Sequence, residues 1–252
     1  MSKKLVIATS LAIALAASVG IAPAQAATKT ITVATEGTYA PFSYHDEKTG
    51  KLTGYDIEVI KAVAKKAGYK IKFKETTWDT IFAGLDAKRF DVIANQVTIT
   101  AARQLKYKFS APYTVSTEVV VARKDNTSFK SIASLAGLTA AQSATSNYRA
   151  DAEKLGATIE TVPGFTEALA LVTAKRVDIT LNDRLAVLDY LKNNKSSNLK
   201  VVASFTAADK QALVFLKTSK YAKPLSKALA ALLKSGAIAK ISKKYFGEDV
   251  TK

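Results

Sequence analysis

The sequence predicts an α/β protein made of two lobes. Short apolar strands alternate with helical segments along almost the whole chain, the order of a parallel sheet with crossover helices. That pattern changes around Pro112-Tyr113 and then begins again. Two further helices close the chain after a returning strand, which implies at least two crossings between the lobes and a hinge where they lie.

The first strand is the alternation Ile31-Thr32-Val33-Ala34-Thr35, and a turn-rich segment runs from Glu36 to Gly54. Ile57, Ile60, Val63, Ala64 and Ala67 recur at helical spacing until Gly68 stops the helix. Ile71–Lys74 alternates as a second strand, Trp78 to about Lys88 reads as a helix, and Asp91–Val97 is a buried strand. The second run opens with a strand at Glu118–Arg123 and a helix near Ser131–Ala136. Strands follow at Leu138–Gln142, Thr158–Val162 and Val177–Leu181, with helices at about Thr145–Leu155 and Thr166–Lys175 between them. Asp183–Leu191 is helical, Gln211–Leu216 is the returning strand, and Ala222–Lys234 and Ala237–Tyr245 form a helical tail expected on the first lobe. The expected division is residues 27–114 with 212–252 as lobe 1, and 115–211 as lobe 2.

Residues 1–26 read as a cleaved leader. Lys3 and Lys4 precede an apolar run from Leu5 to Ile21, and Ala24-Gln25-Ala26 has the small-x-small pattern of a signal-peptidase site. The run is short for a spanning helix and has no basic stop-transfer flank. With no Cys near the cleavage point, the mature chain is expected to be soluble in a periplasm rather than lipid-anchored.

Composition narrows the chemistry. The chain has no Cys, which removes disulfide frameworks and thiolate metal sites. Its single His, His45, lies in a loop rich in Gly and Asp, so His-dependent catalysis and zinc chemistry have little support. No cofactor or metal is expected. The formal net charge of +16 invites a nucleic-acid reading. Its lysines, however, are spread along polar helix faces rather than gathered with aromatics in one stripe, which suits a solvated surface and no nucleic-acid partner.

The most informative stretch is Asp91-Val92-Ile93-Ala94-Asn95-Gln96-Val97-Thr98-Ile99-Thr100, with Arg103 three residues on. A buried strand ends in a polar turn with hydroxyls and one guanidinium at its carboxyl end, the edge where open α/β sheets bind ligands. Arginine grips a carboxylate with two parallel hydrogen bonds, so the pattern points to a receptor for a small carboxylate.

Five segments in order resemble the family-3 solute-binding proteins of bacterial amino-acid ABC importers. They are Val33–Phe42, Gly54–Glu58, Asn95–Arg103, Phe109–Ser116 and Lys240–Gly247. Within that family, Asn95–Thr98, Pro112–Ser116, Asp183–Ala186 and Asp249–Lys252 are most similar to cystine-binding members. The resemblance implies a periplasmic-binding-protein-like fold of type II, a two-lobe "Venus flytrap" with a hinge. It also implies a non-catalytic, monomeric receptor that closes on a polar amino acid, with cystine favoured, and docks on a membrane permease.

A free amino acid needs a cation and an anion across a small gap. By the resemblance Arg103 takes the carboxylate, with Thr98 sharing it, and Asp183 takes the ammonium. As plain structure, Arg103 would be a surface ion pair and Asp183 a helix N-cap. The Ser143-Ala144-Thr145-Ser146 loop precedes a helix, so its N–H groups face the carboxylate from lobe 2 or simply cap a turn; the family usually has glycine here. Glu36 matches a position that reads the ligand's ammonium or distal group, and Tyr39 and Trp78 match aromatic walls that otherwise belong to the core. Asn95, Gln96, Val97 and Asn182 lie beside these contacts, and the neutral Gln96 and Asn182 suit a neutral polar ligand better than arginine or glutamate. One alternative is an enzyme of the cyclohexadienyl dehydratase type with Glu36 as its acid; a sensor module is another.

Overall fold

The computed structural model describes residues 29–252; the leader and its cleavage point before Ala27 lie outside the described residues. Among the described residues no helix is long and apolar enough to cross a membrane.

The chain begins with β1 (Thr30–Thr35), then the short strands β2 (Thr38–Tyr39), β3 (Ser43–His45) and β4 (Leu52–Thr53). Next come α1 (Tyr55–Ala67), β5 (Lys70–Glu75), α2 (Trp78–Asp86), β6 (Val92–Thr98), α3 (Ala101–Lys106) and β7 (Tyr107–Phe109). The strand β8 (Thr114–Arg123) leads into β9 (Thr139–Gln142), α4 (Asn147–Lys154), β10 (Thr158–Thr161), α5 (Phe165–Thr173), β11 (Ile179–Asp183) and α6 (Arg184–Asn193). The long β12 (Leu199–Leu216) returns the chain to α7 (Ala222–Lys234) and α8 (Ala237–Phe246).

One nine-stranded sheet runs through the molecule in the order β10-β9-β11-β8-β12-β6-β1-β5, with β7 also on β12. Its two halves are built alike. In one, β5, β1 and β6 are parallel and β12 runs antiparallel to β6. In the other, β10, β9 and β11 are parallel and β8 runs antiparallel to β11. The crossings are β8 and β12 themselves, paired antiparallel from Thr114–Gln211 to Arg123–Leu199 with two register shifts. Bulges increase local twist, so this ribbon joins the halves at the place where they bend.

Each half has a core on both sheet faces. The amino-terminal half buries Ile31, Val33 and Phe215 under α1 and the carboxy-terminal helices, and Ala34, Ile93 and Val214 under α2. Helices α7 and α8 thus pack on α1. In the other half Val119 and Val121 face α5, while Val120 and Ile179 face α4.

Three expected elements differ. The Glu36–Gly54 segment holds a three-stranded sheet, β2-β3-β4, rather than turns alone. Ser131–Ala136 is not helical, because the Ser131 and Ser134 hydroxyls accept from the N–H groups of Ala133 and Ala136 and offer the backbone a turn instead. The returning strand starts at Leu199, not Gln211, because Leu199–Lys210 pairs with β8; half of those twelve residues are exposed, which blurs the strand pattern.

Candidate functional site

The carboxyl ends of three parallel strands in each half meet across one cleft. Glu36 and Tyr39 follow β1, Trp78 follows β5, and Asn95, Gln96 and Thr98 end β6. Opposite them, Ser143, Ser146, Asn147 and Tyr148 follow β9, Gly164 and Phe165 follow β10, and Asn182 belongs to β11. These residues line a cavity of about 50 Å³. Glu36 is the one charged residue in that lining.

The cleft is drawn shut by bonds between its walls. Tyr39 donates its hydroxyl to Asn182 Oδ1 at 2.6 Å, and its ring meets Phe165 edge-on at 6.1 Å. Asp79 Oδ1 accepts from both the N–H and the hydroxyl of Thr145, at 3.1 and 3.2 Å. Arg103 Nη1 donates to Thr98 O at 3.0 Å and Asn147 Oδ1 at 3.2 Å, while Nη2 reaches Thr145 O at 3.2 Å. Its guanidinium lies 5.3 Å from the Trp78 ring centre and 5.2 Å from that of Phe82. Burial lowers the Arg103 pKa to about 10, still well above neutrality, so the group remains a cation on the seam.

Glu36 is fixed by Asn95. The amide donates to Glu36 Oε2 at 2.5 Å, and its Oδ1 accepts the Glu36 N–H at 2.8 Å and the Thr35 hydroxyl at 3.0 Å. Burial pushes the Glu36 carboxyl up to about 7; the Asn95 bond opposes that rise, and Asp79 and Glu167 add to it.

Gln96 sits at φ 48°, in the left-handed region, which costs a non-glycine residue about 1–2 kcal/mol. Its N–H and Nε2 both donate to Asp56, at 2.7 and 2.9 Å. Burial pushes the Asp56 carboxyl up to about 7, and hydrogen bonds of this kind contribute about 0.5–1.5 kcal/mol each, so the two together offset the cost of that conformation. Two buried polar atoms on lining residues are left without a partner: the Gln96 Oε1 acceptor and the Trp78 Nε1–H donor. An orphaned donor and acceptor on residues that line one cavity suit a ligand carrying both signs of charge.

The structure brings Glu36, Tyr39, Trp78, Asn95, Gln96, Thr98, Ser143, Ser146 and Asn182 together on the cavity wall. Arg103 and Thr145 stand on the seam beside it. Val97 is fully buried and packs with Ala34, Ile93 and Val214. Asp183 is buried at the start of α6, where it accepts from Leu185 N–H at 2.7 Å, Ser116 Oγ at 3.1 Å and Gln211 Nε2 at 3.4 Å. Burial raises its carboxyl to about 7. Ser146 likewise caps α4 through the Tyr148 N–H at 3.2 Å.

Asn147, Tyr148, Gly164 and Phe165 escaped the sequence reading. The signal for the last two was present: Pro163-Gly164 ends a strand at the same sheet edge as the other sites.

Residues 31–248 match the bacterial extracellular solute-binding proteins, family 3. The chain belongs to that family. It is 51% identical over 223 residues to the L-cystine-binding protein TcyA of Bacillus subtilis, covering 88% of this chain and 83% of that one. Against the crystal structure of the L-cystine solute receptor of Neisseria gonorrhoeae, unliganded and open, it shows 46% identity and a TM-score of 0.59, covering 90% and 96% of the two chains. An ancestral arginine-binding protein bound to arginine is only 33% identical, yet its TM-score is 0.81, with coverage of 86% and 98%. A better fit to the ligand-bound relative, against the order of identity, agrees with lobes that are drawn together here. The relatives are named as binding proteins, not enzymes, so the chain is a solute-binding protein and the dehydratase reading loses support.

Proposed function

We propose that this chain captures L-cystine outside the cytoplasmic membrane and delivers it to the permease of an ABC importer. The observation that carries the reading is a shut interlobe cavity with one carboxylate, orphaned Gln96 and Trp78 groups, and otherwise neutral walls. Cystine is neutral overall but carries an ammonium and a carboxylate at each end. One end would take Arg103, Thr98 and Gln96, with Asp183 behind; the other would place its ammonium near Glu36. Arg103 would exchange Asn147 Oδ1 and Thr145 O for the ligand's carboxylate oxygens. The mature form would begin at Ala27, reside in the periplasm and act as a monomer, with lobe limits at 27–114 with 212–252 and at 115–211. The absence of Cys keeps the receptor inert toward a disulfide ligand.

Titration calorimetry of the ligand-stripped chain with cystine, glutamine, histidine, arginine, glutamate and cysteine tests this. One-to-one binding is expected, tightest for cystine, and Arg103→Ala should weaken it on the order of 100-fold while the fold persists. Preference for another amino acid would overturn cystine. Normal affinity in Arg103→Ala would remove the carboxylate clamp.

A further inference from the structure

Asp56 lies outside the cavity, as the second residue of α1, and is fully buried. Its carboxylate accepts three hydrogen bonds: Gln96 N–H at 2.7 Å, Gln96 Nε2 at 2.9 Å and the Tyr113 hydroxyl at 2.9 Å. None of these partners is a cation. A buried carboxyl group without a counter-ion is costly to the fold, so its place here calls for a reason beyond packing.

Gln96 supplies that reason. Of the three non-glycine residues at positive φ among the described residues, it alone lines the cavity. Asp56 and the Thr114 hydroxyl, at 3.0 Å, occupy the Nε2 end of its amide. Oε1 is the end left over, buried and unpartnered. An ammonium has three donors and no acceptor, so it is the ligand group that fits this oxygen.

The same carboxylate reaches the hinge. Tyr113 directly precedes β8, and its N–H donates to Gln211 O of β12 at 3.0 Å. Gln211 Nε2 in turn approaches Asp183 Oδ2 at 3.4 Å. One polar chain therefore runs from α1 through both crossing strands to the start of α6.

We propose that Asp56 is a positioning residue for capture: it holds Gln96 in its left-handed conformation with Oε1 presented to the ligand's ammonium, and ties that acceptor to the hinge. The inference rests on the amino-acid reading above.

A double-mutant cycle on L-cystine affinity tests it, with Asp56→Asn, Gln96→Gly and the pair. Wild-type titration comes first, and if the panel prefers another amino acid the cycle uses that one. Asp56→Asn should weaken binding about tenfold or more, mainly through faster dissociation. Glycine needs no help at positive φ and has no amide to orient, so the pair should bind no more weakly than Gln96→Gly alone. Additive losses, or wild-type affinity in Asp56→Asn, would overturn the inference while leaving the receptor reading intact. Should Asp56→Asn fail to fold, Tyr113→Phe decides: it removes one bond and no bulk, and a loss of a few-fold in affinity is expected in a chain that stays folded, at a lower thermal transition. Unchanged affinity there would overturn the inference. Wild-type chain that binds none of the six amino acids would overturn both readings.

Discussion

Glu36 carries the charge of the cavity, and its carboxyl is moved up to about 7 by burial. A carboxyl raised above its unfolded value binds protons more tightly in the folded state, so its contribution to ligand-free stability is fully present below about pH 4.5 and is lost as pH rises through about 7. An ammonium placed beside it favours the ionised form, so binding near pH 6.5 should release a proton. Titrations in buffers of different ionisation enthalpy would show this as a buffer-dependent heat, reduced by Glu36→Gln to what Asp183, also raised to about 7, contributes. Buffer-independent heats in the wild type would separate Glu36 from the ligand's charge. At this scale the sequence was most legible where a polar residue ends an apolar strand, as at Asn95, Gln96, Thr98 and Asn182. Asp183 was harder, because one carboxylate serves as cap, hinge partner and candidate ligand group, and spacing does not rank the three. Asp56 went unread because its role depends on a residue forty positions away.

Elements repeat this division between local and distant causes. Helices α1, α7 and α8 were readable because apolar spacing and glycine stops act locally; Gly68 and Gly247 both adopt the left-handed cap. The β2-β3-β4 sheet and the outer part of β12 were not, because their pairing partners lie elsewhere and their faces are half polar. Gly54 joins the small sheet to α1 at φ 126°, with the Phe42 carbonyl where a Cβ would stand. Gly54→Ala should therefore cost more than the roughly 1–3 kcal/mol of backbone strain alone, and urea unfolding would measure it. A loss under about 0.5 kcal/mol, the scale of an ordinary surface change, would contradict the close approach.

At the scale of the molecule, the two halves of one sheet are joined through two paired strands, β8 and β12. Each half has apolar clusters on both sheet faces, and that of the amino-terminal half also takes in Leu185 and Ala186 of α6; inside the cleft the contacts between halves are mainly hydrogen bonds and one edge-on aromatic pair. Exchangeable bonds of that kind contribute about 0.5–1.5 kcal/mol each, a few in number, so the ligand has to supply the rest of the bias toward closure. The two-lobe architecture followed from the repeated order of strands and helices. Which strands cross was half visible, since only the apolar end of β12 announces itself.

Small-angle X-ray scattering of residues 27–252, ligand-stripped and then saturated with L-cystine, measures closure on the ligand itself. A smaller radius of gyration with cystine, and a liganded curve that matches the arrangement described here, is the expected result. Identical curves with and without bound cystine would contradict a receptor that works by closing around its amino acid.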